Sequence, residues 1–202
     1  MLFNFDPNQN LLPQDGEVYY HSNLFDDAIS NNFLEVLTNT IIWRQDEVVM
    51  FGKRIVTKRK VAWYGLEKFN YSYAGTTKSA LPFTPALIEI KKAVETKSGA
   101  TYNSCLLNYY HNGQEGMSWH SDNEPELQPN AAIASVSFGA ERNFSFKHKV
   151  TKQKVTIPLA NGSLLVMQGA IQQHWLHQLP KAAKVNTPRM NLTFRTILNN
   201  QI

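Results

Sequence analysis

The sequence predicts an α+β chain in which a helical N-terminal part packs on a β-rich C-terminal core. Three observations point there. Apolar residues in "SNLFDDAISNNFLEVLTN" recur at helical spacing. "FTPALIEIKKAVETKSG" carries both a start and a stop signal for a helix. From residue 104 onward the period changes to that of short strands.

In the first segment Leu24, Phe25, Ile29, Phe33, Val36 and Leu37 fall on one stripe, and Asp26 and Asp27 suit the positive end of the helix. In the second, Thr84 is placed to cap, Pro85 fits the first turn and Gly99 fits the end. Between them, "EVVMFGKRIVTKRK" reads as two short strands around a tip at Phe51-Gly52-Lys53. The strands after residue 104 are "SCLLNYY", "AIASVSF", "RNFSFKH", "KVTIPL", "SLLVMQ" and "RMNLTFRTI", separated by Gly, Pro and Asn. Short strands in succession without intervening helices indicate a sandwich, a barrel or a jelly roll.

The chain has 202 residues, 43% hydrophobic and 11% aromatic, which suits one globular unit with a real core. Its apolar runs are too short to span a bilayer, and "MLFNFDPNQN" makes a poor secretory signal. A lone Cys105 inside an apolar run fits a buried, inert thiol in a reducing, intracellular compartment, cytoplasmic or nuclear. Charge is unevenly spread. Residues 1–40 hold six acids and no Lys or Arg, whereas residues 41–100 hold eleven Lys and Arg against five acids. That basic middle third suits a polyanion such as nucleic acid; a solvated basic face is the competing reading.

In "GMSWHSDNEPEL", His120 and Asp122 stand two residues apart, so in locally extended chain both reach the same side. One imidazole and one carboxylate make an incomplete metal site. The third ligand is sought among His21, His111, His148, His174 and His177. His177, 55 residues beyond Asp122, follows a strand and a short loop and is the preferred candidate. His111 reads as a surface loop residue and His174 as a satisfied core residue. Two His and one carboxylate leave open positions suited to non-haem iron(II) and oxygen, with zinc as the chemical competitor.

"RMNLTFR" alternates: Arg189, Asn191, Thr193 and Arg195 on one face, Met190, Leu192 and Phe194 on the other. Such a strand usually turns its polar face to water. The alternative is a cavity wall, where two guanidinium groups suit a small dicarboxylate. Their backbones stand about 20 Å apart, so both serve one diacid only if the side chains lean together or one acts through a neighbour.

These residues, with "LNYY", "WHSDNEPEL", "IASVSFGAERNFSF", "NGSLLVMQG", "HWLHQLPK" and "PRMNLTFRTIL", resemble the AlkB-like iron(II)/2-oxoglutarate dioxygenases that repair alkylated nucleic acid. The resemblance runs from about Trp43 to Leu198 and is nearest to the eukaryotic-type DNA repair branch. It implies a double-stranded β-helix, a jelly-roll variant. It implies one catalytic domain over 1–202: an N-terminal extension and helix (1–42), a nucleotide-recognition lid (43–80), and a helix plus jelly-roll core (81–198). It implies iron(II), 2-oxoglutarate and O2. His120, Asp122 and His177 match the metal ligands. Arg189 matches the residue that holds the distal carboxylate, and Arg195 one near the chelating end. Asn108, Tyr110 and Asn191 match further cosubstrate contacts. Phe51, flanked by Gly52 and Lys53, resembles a finger that wedges into a duplex. Tyr71 and Tyr73 match lid aromatics, and Glu124 a contact to the base edge. Asn123 stands where relatives often carry a second Asp, which bears on selectivity rather than on chemistry.

The activity so implied is oxidative demethylation of N-alkylated bases of the 1-methyladenine and 3-methylcytosine type, with release of formaldehyde. The substrate is alkylated DNA, with RNA left open; no membrane partner is implied, and a monomer is expected. Lys53, Arg54, Lys58, Arg59 and Lys60 are then the expected phosphate contacts. Two other classes stay open: the same chemistry on a protein or small molecule, and a binding module without turnover.

Overall fold

The computed structural model describes residues 5–50, 53–67, 69–73 and 76–198, with backbone alone for 47–50, 53–55, 70–73 and 76–78. β1 (Glu17–His21) precedes α1 (Asp27–Thr40). The helix starts where the Asp26 carboxylate accepts the Ile29 N–H at 2.8 Å, satisfying one of the free donors of the first turn. β2 (Arg44–Met50) and β3 (Lys53–Gly65) form an antiparallel hairpin. Its tip residues Phe51 and Gly52 lie outside the described residues. β3 is thirteen residues long, not the short strand expected. Its second half, Lys60–Gly65, gains a further partner in β7 (Ser104–Tyr110), so pairing continues well past the hairpin. β4 (Asn70–Tyr73) and β5 (Thr76–Ser79) form a separate ribbon, and β6 (Leu81–Pro82) lies parallel to the end of β3.

α2 (Pro85–Ser98) is bounded as its sequence predicts. Thr84 accepts the Leu87 N–H, Pro85 opens the first turn, and Gly99 closes it at φ 69°. That left-handed backbone favours a residue without a Cβ. Then come β8 (Met117–His120), β9 (Ile133–Gly139), β10 (Arg142–His148), β11 (Lys154–Leu159), β12 (Ser163–Gln168), α3 (Ile171–His174), β13 (Trp175–Leu179) and β14 (Arg189–Arg195).

These strands make two antiparallel sheets. The larger runs β1-β12-β9-β14-β7-β3-β2, with β6 attached to β3, and the smaller runs β11-β10-β13-β8. Together they form a double-stranded β-helix, with α1 and α2 packed on the outer face of the larger sheet. Alternation along β12 displays the layering. Leu164 and Val166 join the helix-side core with Phe33, Leu37, Leu87, Ile90 and Leu107, whereas Leu165 and Met167 join Phe146, Ile157 and Trp175 between the sheets. β14 obeys the same rule. Met190, Leu192 and Phe194 belong to the helix-side core, so Arg189, Asn191, Thr193 and Arg195 face the space between the sheets.

Leu107 is fully buried in this core, with Leu192 of β14 and Ala62 of β3 as its register partners. Its replacement by alanine is expected to cost about 2–5 kcal/mol through lost burial and a residual cavity. Equilibrium denaturation checks this, and a loss under about 1 kcal/mol would contradict the packing described.

Candidate metal and cosubstrate site

β8 and β13 are neighbours in the smaller sheet, and His120 and His177 sit opposite each other in their register. Directly paired residues put their side chains on the same face a few ångströms apart. The two imidazoles therefore converge, with Nε2 of one 3.1 Å from Nε2 of the other. Asp122 follows β8 and turns its Oδ1 to within 3.8 Å of His120 Nε2 and 3.7 Å of His177 Nε2. A point equidistant from the three atoms lies about 2.1 Å from each, which is a metal–ligand distance. His177 thus lies within a strand of its own, β13, which the sequence reading does not draw.

The surroundings prepare each donor. His120 Nδ1 donates to the Ser118 carbonyl at 2.8 Å, which leaves the Nε2 lone pair directed at the common point. Phe144 stacks on His177 with ring centroids 5.4 Å apart, and Phe146 meets the same ring edge-on at 6.2 Å. Burial pushes the His177 imidazole down to about 4, against the pull of Asp122, so it is a neutral ligand near pH 7. At Asp122 burial works to raise the carboxyl, but Arg195, then His177 and His120, outweigh it and hold it below its usual range. Arg195 donates from Nη2 to Asp122 Oδ2 at 2.6 Å, leaving Oδ1 for the metal side. The side chain of Gln172 accepts the Asp122 N–H at 2.9 Å and so fixes the backbone that carries the carboxylate.

One cavity contains all of this. Its walls include His120, Asp122 and His177 together with Asn108, Tyr110, Arg189, Asn191 and Arg195. The span of β14 no longer poses a difficulty. Arg195 serves the metal end through Asp122, while Arg189 lies at the far end, where Tyr110 is its register partner on β7. Arg189 is buried and donates from Nη2 to Ser137 Oγ at 2.9 Å. Asn191 donates to Ser135 Oγ at 2.7 Å and accepts from Thr193 at 3.1 Å. A small molecule chelating at the triad with an anionic tail at Arg189 fits this donor set.

The other expected contacts divide. Glu124 is half-buried just beyond Asp122. Lys53 opens β3 and Tyr71 and Tyr73 lie on β4, all described by backbone alone. Lys58 and Lys60 are exposed, but Arg59 is not a phosphate contact: it is buried, ion-paired with Asp46, and donates to Met117 Sδ at 2.9 Å. The reason is the strand period, which turns residue 59 inward when 58 and 60 point out. His111 is a partly exposed loop residue just past β7, as expected, held by Glu115 at 3.0 Å, whereas His174 is half-buried on α3 and stacked on His148 rather than set in the core. Ser135, Ser137, Phe144 and Gln172 escaped the sequence reading. Ser135, Ser137 and Phe144 were within reach of alternation in "SVSF" and "RNFSF", once the inward face was fixed.

Asp15, His148 and His174 also approach one another. His148 Nδ1 accepts the N–H groups of Val150 (3.3 Å) and Thr151 (3.0 Å), so its Nε2 carries the proton and donates to Asp15 at 3.1 Å. His148 then has no lone pair free for an ion, and its bond to Asp15 ties the N-terminal segment to the smaller sheet.

A jelly roll with two imidazoles and one carboxylate at one end of a cavity and a buried arginine at the other defines an iron(II)- and 2-oxo-acid-dependent oxygenase. The chain belongs to the 2OG-Fe(II) oxygenase superfamily, whose model matches residues 17–195, and the cofactors are accordingly iron(II), 2-oxoglutarate and O2. Within it, the chain is 44% identical over 159 residues to the human DNA oxidative demethylase ALKBH2, covering 75% of this chain and 61% of that one. It is 38% identical over 174 residues to the human alpha-ketoglutarate-dependent dioxygenase alkB homolog 3, covering 81% and 60%. The Arabidopsis thaliana DNA oxidative demethylase ALKBH2 is 34% identical over 193 residues, covering 82% and 62%. The chain thus spans about three fifths of the length of these relatives. The solved structure of OsALKBH1 superposes with a TM-score of 0.61 at 15% identity, covering 89% of this chain and 97% of that one, and shares the fold. Among the described residues no helix is long and apolar enough to cross a membrane.

Proposed function

We propose that the chain is an intracellular oxidative demethylase of N-alkylated nucleobases, of the 1-methyladenine and 3-methylcytosine type, in DNA. The observation that carries the proposal is the convergence of His120, Asp122 and His177 at the metal end of a cavity whose other end is Arg189. The relatives named for DNA oxidative demethylation supply the substrate class. The basic residues Lys58 and Lys60, exposed on β3, supply the charge for a phosphate backbone.

In this reading His120 Nε2, Asp122 Oδ1 and His177 Nε2 hold the iron, and Arg189 takes the distal carboxylate of 2-oxoglutarate. Iron with 2-oxoglutarate and O2 supplies the power to hydroxylate an N-methyl carbon, after which formaldehyde leaves and the base is restored. The chain's own groups do the rest. Arg195 aims the Asp122 carboxylate, Ser118 fixes the His120 tautomer, and Phe144 and Phe146 hold the His177 ring. A ring-nitrogen methyl is hidden in a paired stack, so the base must be flipped or met in a single strand. Phe51 is the proposed wedge, Tyr71 and Tyr73 the proposed stacking partners, and Glu124 the proposed contact to the base edge.

Formaldehyde release from methylated oligonucleotides, single and double stranded, in DNA and RNA, tests the proposal. Release from a 1-methyladenine or 3-methylcytosine DNA strand is expected, and none from any nucleic acid would overturn it. With Lys58 and Lys60 both changed to alanine, affinity for DNA should fall alike for every sequence. The slope of log affinity against log salt should flatten by about 2, roughly one unit for each phosphate no longer neutralised. An unchanged slope would remove these two lysines from the interface.

A further inference from the structure

Arg189 lines the cavity at the end away from the metal ligands, Arg142 is buried behind that lining, and neither has a carboxylate partner among the described residues. Arg189 and Arg142 are each 2% exposed. Arg189 bonds to the Ser137 hydroxyl, and its Nε has no partner. Arg142 donates from Nη2 to the carbonyls of Glu115 (3.0 Å) and Pro180 (2.6 Å), and its Nε and Nη1 have none. Glu115 cannot neutralise it by direct pairing, because its carboxylate holds the backbone N–H and the ring of His111.

The strand period places Arg142. It begins β10, with Phe144 two residues on and Phe146 four residues on, and both phenylalanines touch His177 from within. Arg142 shares their face and so projects between the sheets, toward the end where Tyr110 and Arg189 enter from the larger sheet. The charges sense one another. Burial pulls the Arg189 guanidinium down to about 10; Tyr110 opposes that, and Arg142 adds to it. A buried, unpaired cation is strongly unfavourable, and two near each other are more so. An anion arriving between them relieves both.

We infer that Arg142 is a second fixed cation for the distal carboxylate of the cosubstrate, a positioning residue behind Arg189 that makes the site select a dicarboxylic 2-oxo acid over one with a neutral tail. This rests on the assignment of Arg189 made above. Its carbonyl bonds hold the charge in place by tying β10 to the segments at Glu115 and Pro180. A 2-oxo acid of equal length ending in methyl keeps the chelating groups but leaves both cations buried without a counter-charge.

The test is anaerobic calorimetry on the full chain loaded with manganese(II), comparing 2-oxoglutarate with 2-oxovalerate. Wild-type protein should prefer 2-oxoglutarate by about a thousandfold, the Arg189→Gln protein by about tenfold, and the Arg142→Gln protein by about a hundredfold. Arg142→Gln should leave the affinity for 2-oxovalerate within about twofold, and Arg142→Lys should restore most of the preference. If Arg142→Gln weakens both ligands equally, or neither, Arg142 is only a loop clamp and the inference is overturned. Should that variant not fold, Arg189→Gln decides: a residual preference of about tenfold supports the inference, and a ratio near one overturns it. A wild-type protein without preference would instead overturn the assignment of Arg189.

Discussion

Asp122→Ala abolishes iron(II) binding and lowers 2-oxoglutarate turnover by at least about a thousandfold, or some 4 kcal/mol of barrier. Two losses combine. The carboxylate that converges with both imidazoles disappears, and Arg195 keeps a buried guanidinium with its acceptor gone. Asp122→Asn separates them. The amide oxygen still accepts from Arg195, so the fold should hold within a few degrees of the wild-type melting point. Metal affinity should still fall by about a hundredfold, because the negative charge is gone. The two imidazole ligands divide in the same way. His120 is about one-third exposed, so His120→Ala should lose activity at unchanged stability. His177 is packed by Phe144 and Phe146, so His177→Ala should lose activity and stability together. Metal titration beside thermal melting reads all four variants. Wild-type metal affinity in Asp122→Asn would contradict the ligand set.

Arg189→Gln is the second large effect. The residue is fully buried at the far end of the cavity, with a serine hydroxyl as its hydrogen-bond acceptor among the described residues. A guanidinium so placed is costly to bury, and in the proposed reading the anionic tail of the cosubstrate completes it. The substitution should weaken 2-oxoglutarate about a hundredfold, through loss of two charge-assisted hydrogen bonds. Iron affinity should stay within a few-fold, since no metal-side atom changes. Turnover at saturating 2-oxoglutarate should therefore recover much of the wild-type rate, giving a KM effect larger than the kcat effect. A kcat loss with unchanged KM would place Arg189 elsewhere in the mechanism.

Much of this could be read from residue order, and the reasons are physical. β14 was legible because seven alternating residues leave one phase, and the helix-side core then decides which face is inside. α2 was legible from Thr84, Pro85 and Gly99, since each acts locally, Thr84 through its hydroxyl on a nearby N–H and the other two through their own backbone. Where pairing partners lie far apart in sequence, local pattern fails. β1, β8 and β13 are five residues or fewer and exist through partners such as β12 and β10. The ladder position of His177 was therefore hidden, although its identity as a ligand candidate was not. Arg59 misled because it sits in "KRK", a run that reads as surface charge. Strand phase, with Asp46 as an interior partner, turns it inward. The Phe51 finger belongs to neither group, since it lies outside the described residues.

The central claim is one ion shared by three side chains. Anomalous diffraction at the iron edge, from crystals grown anaerobically with iron(II), tests it most directly. A single peak about 2.1 Å from His120 Nε2, Asp122 Oδ1 and His177 Nε2 is the predicted result. A peak at Asp15, His148 and His174, or none at the first triad, would contradict it.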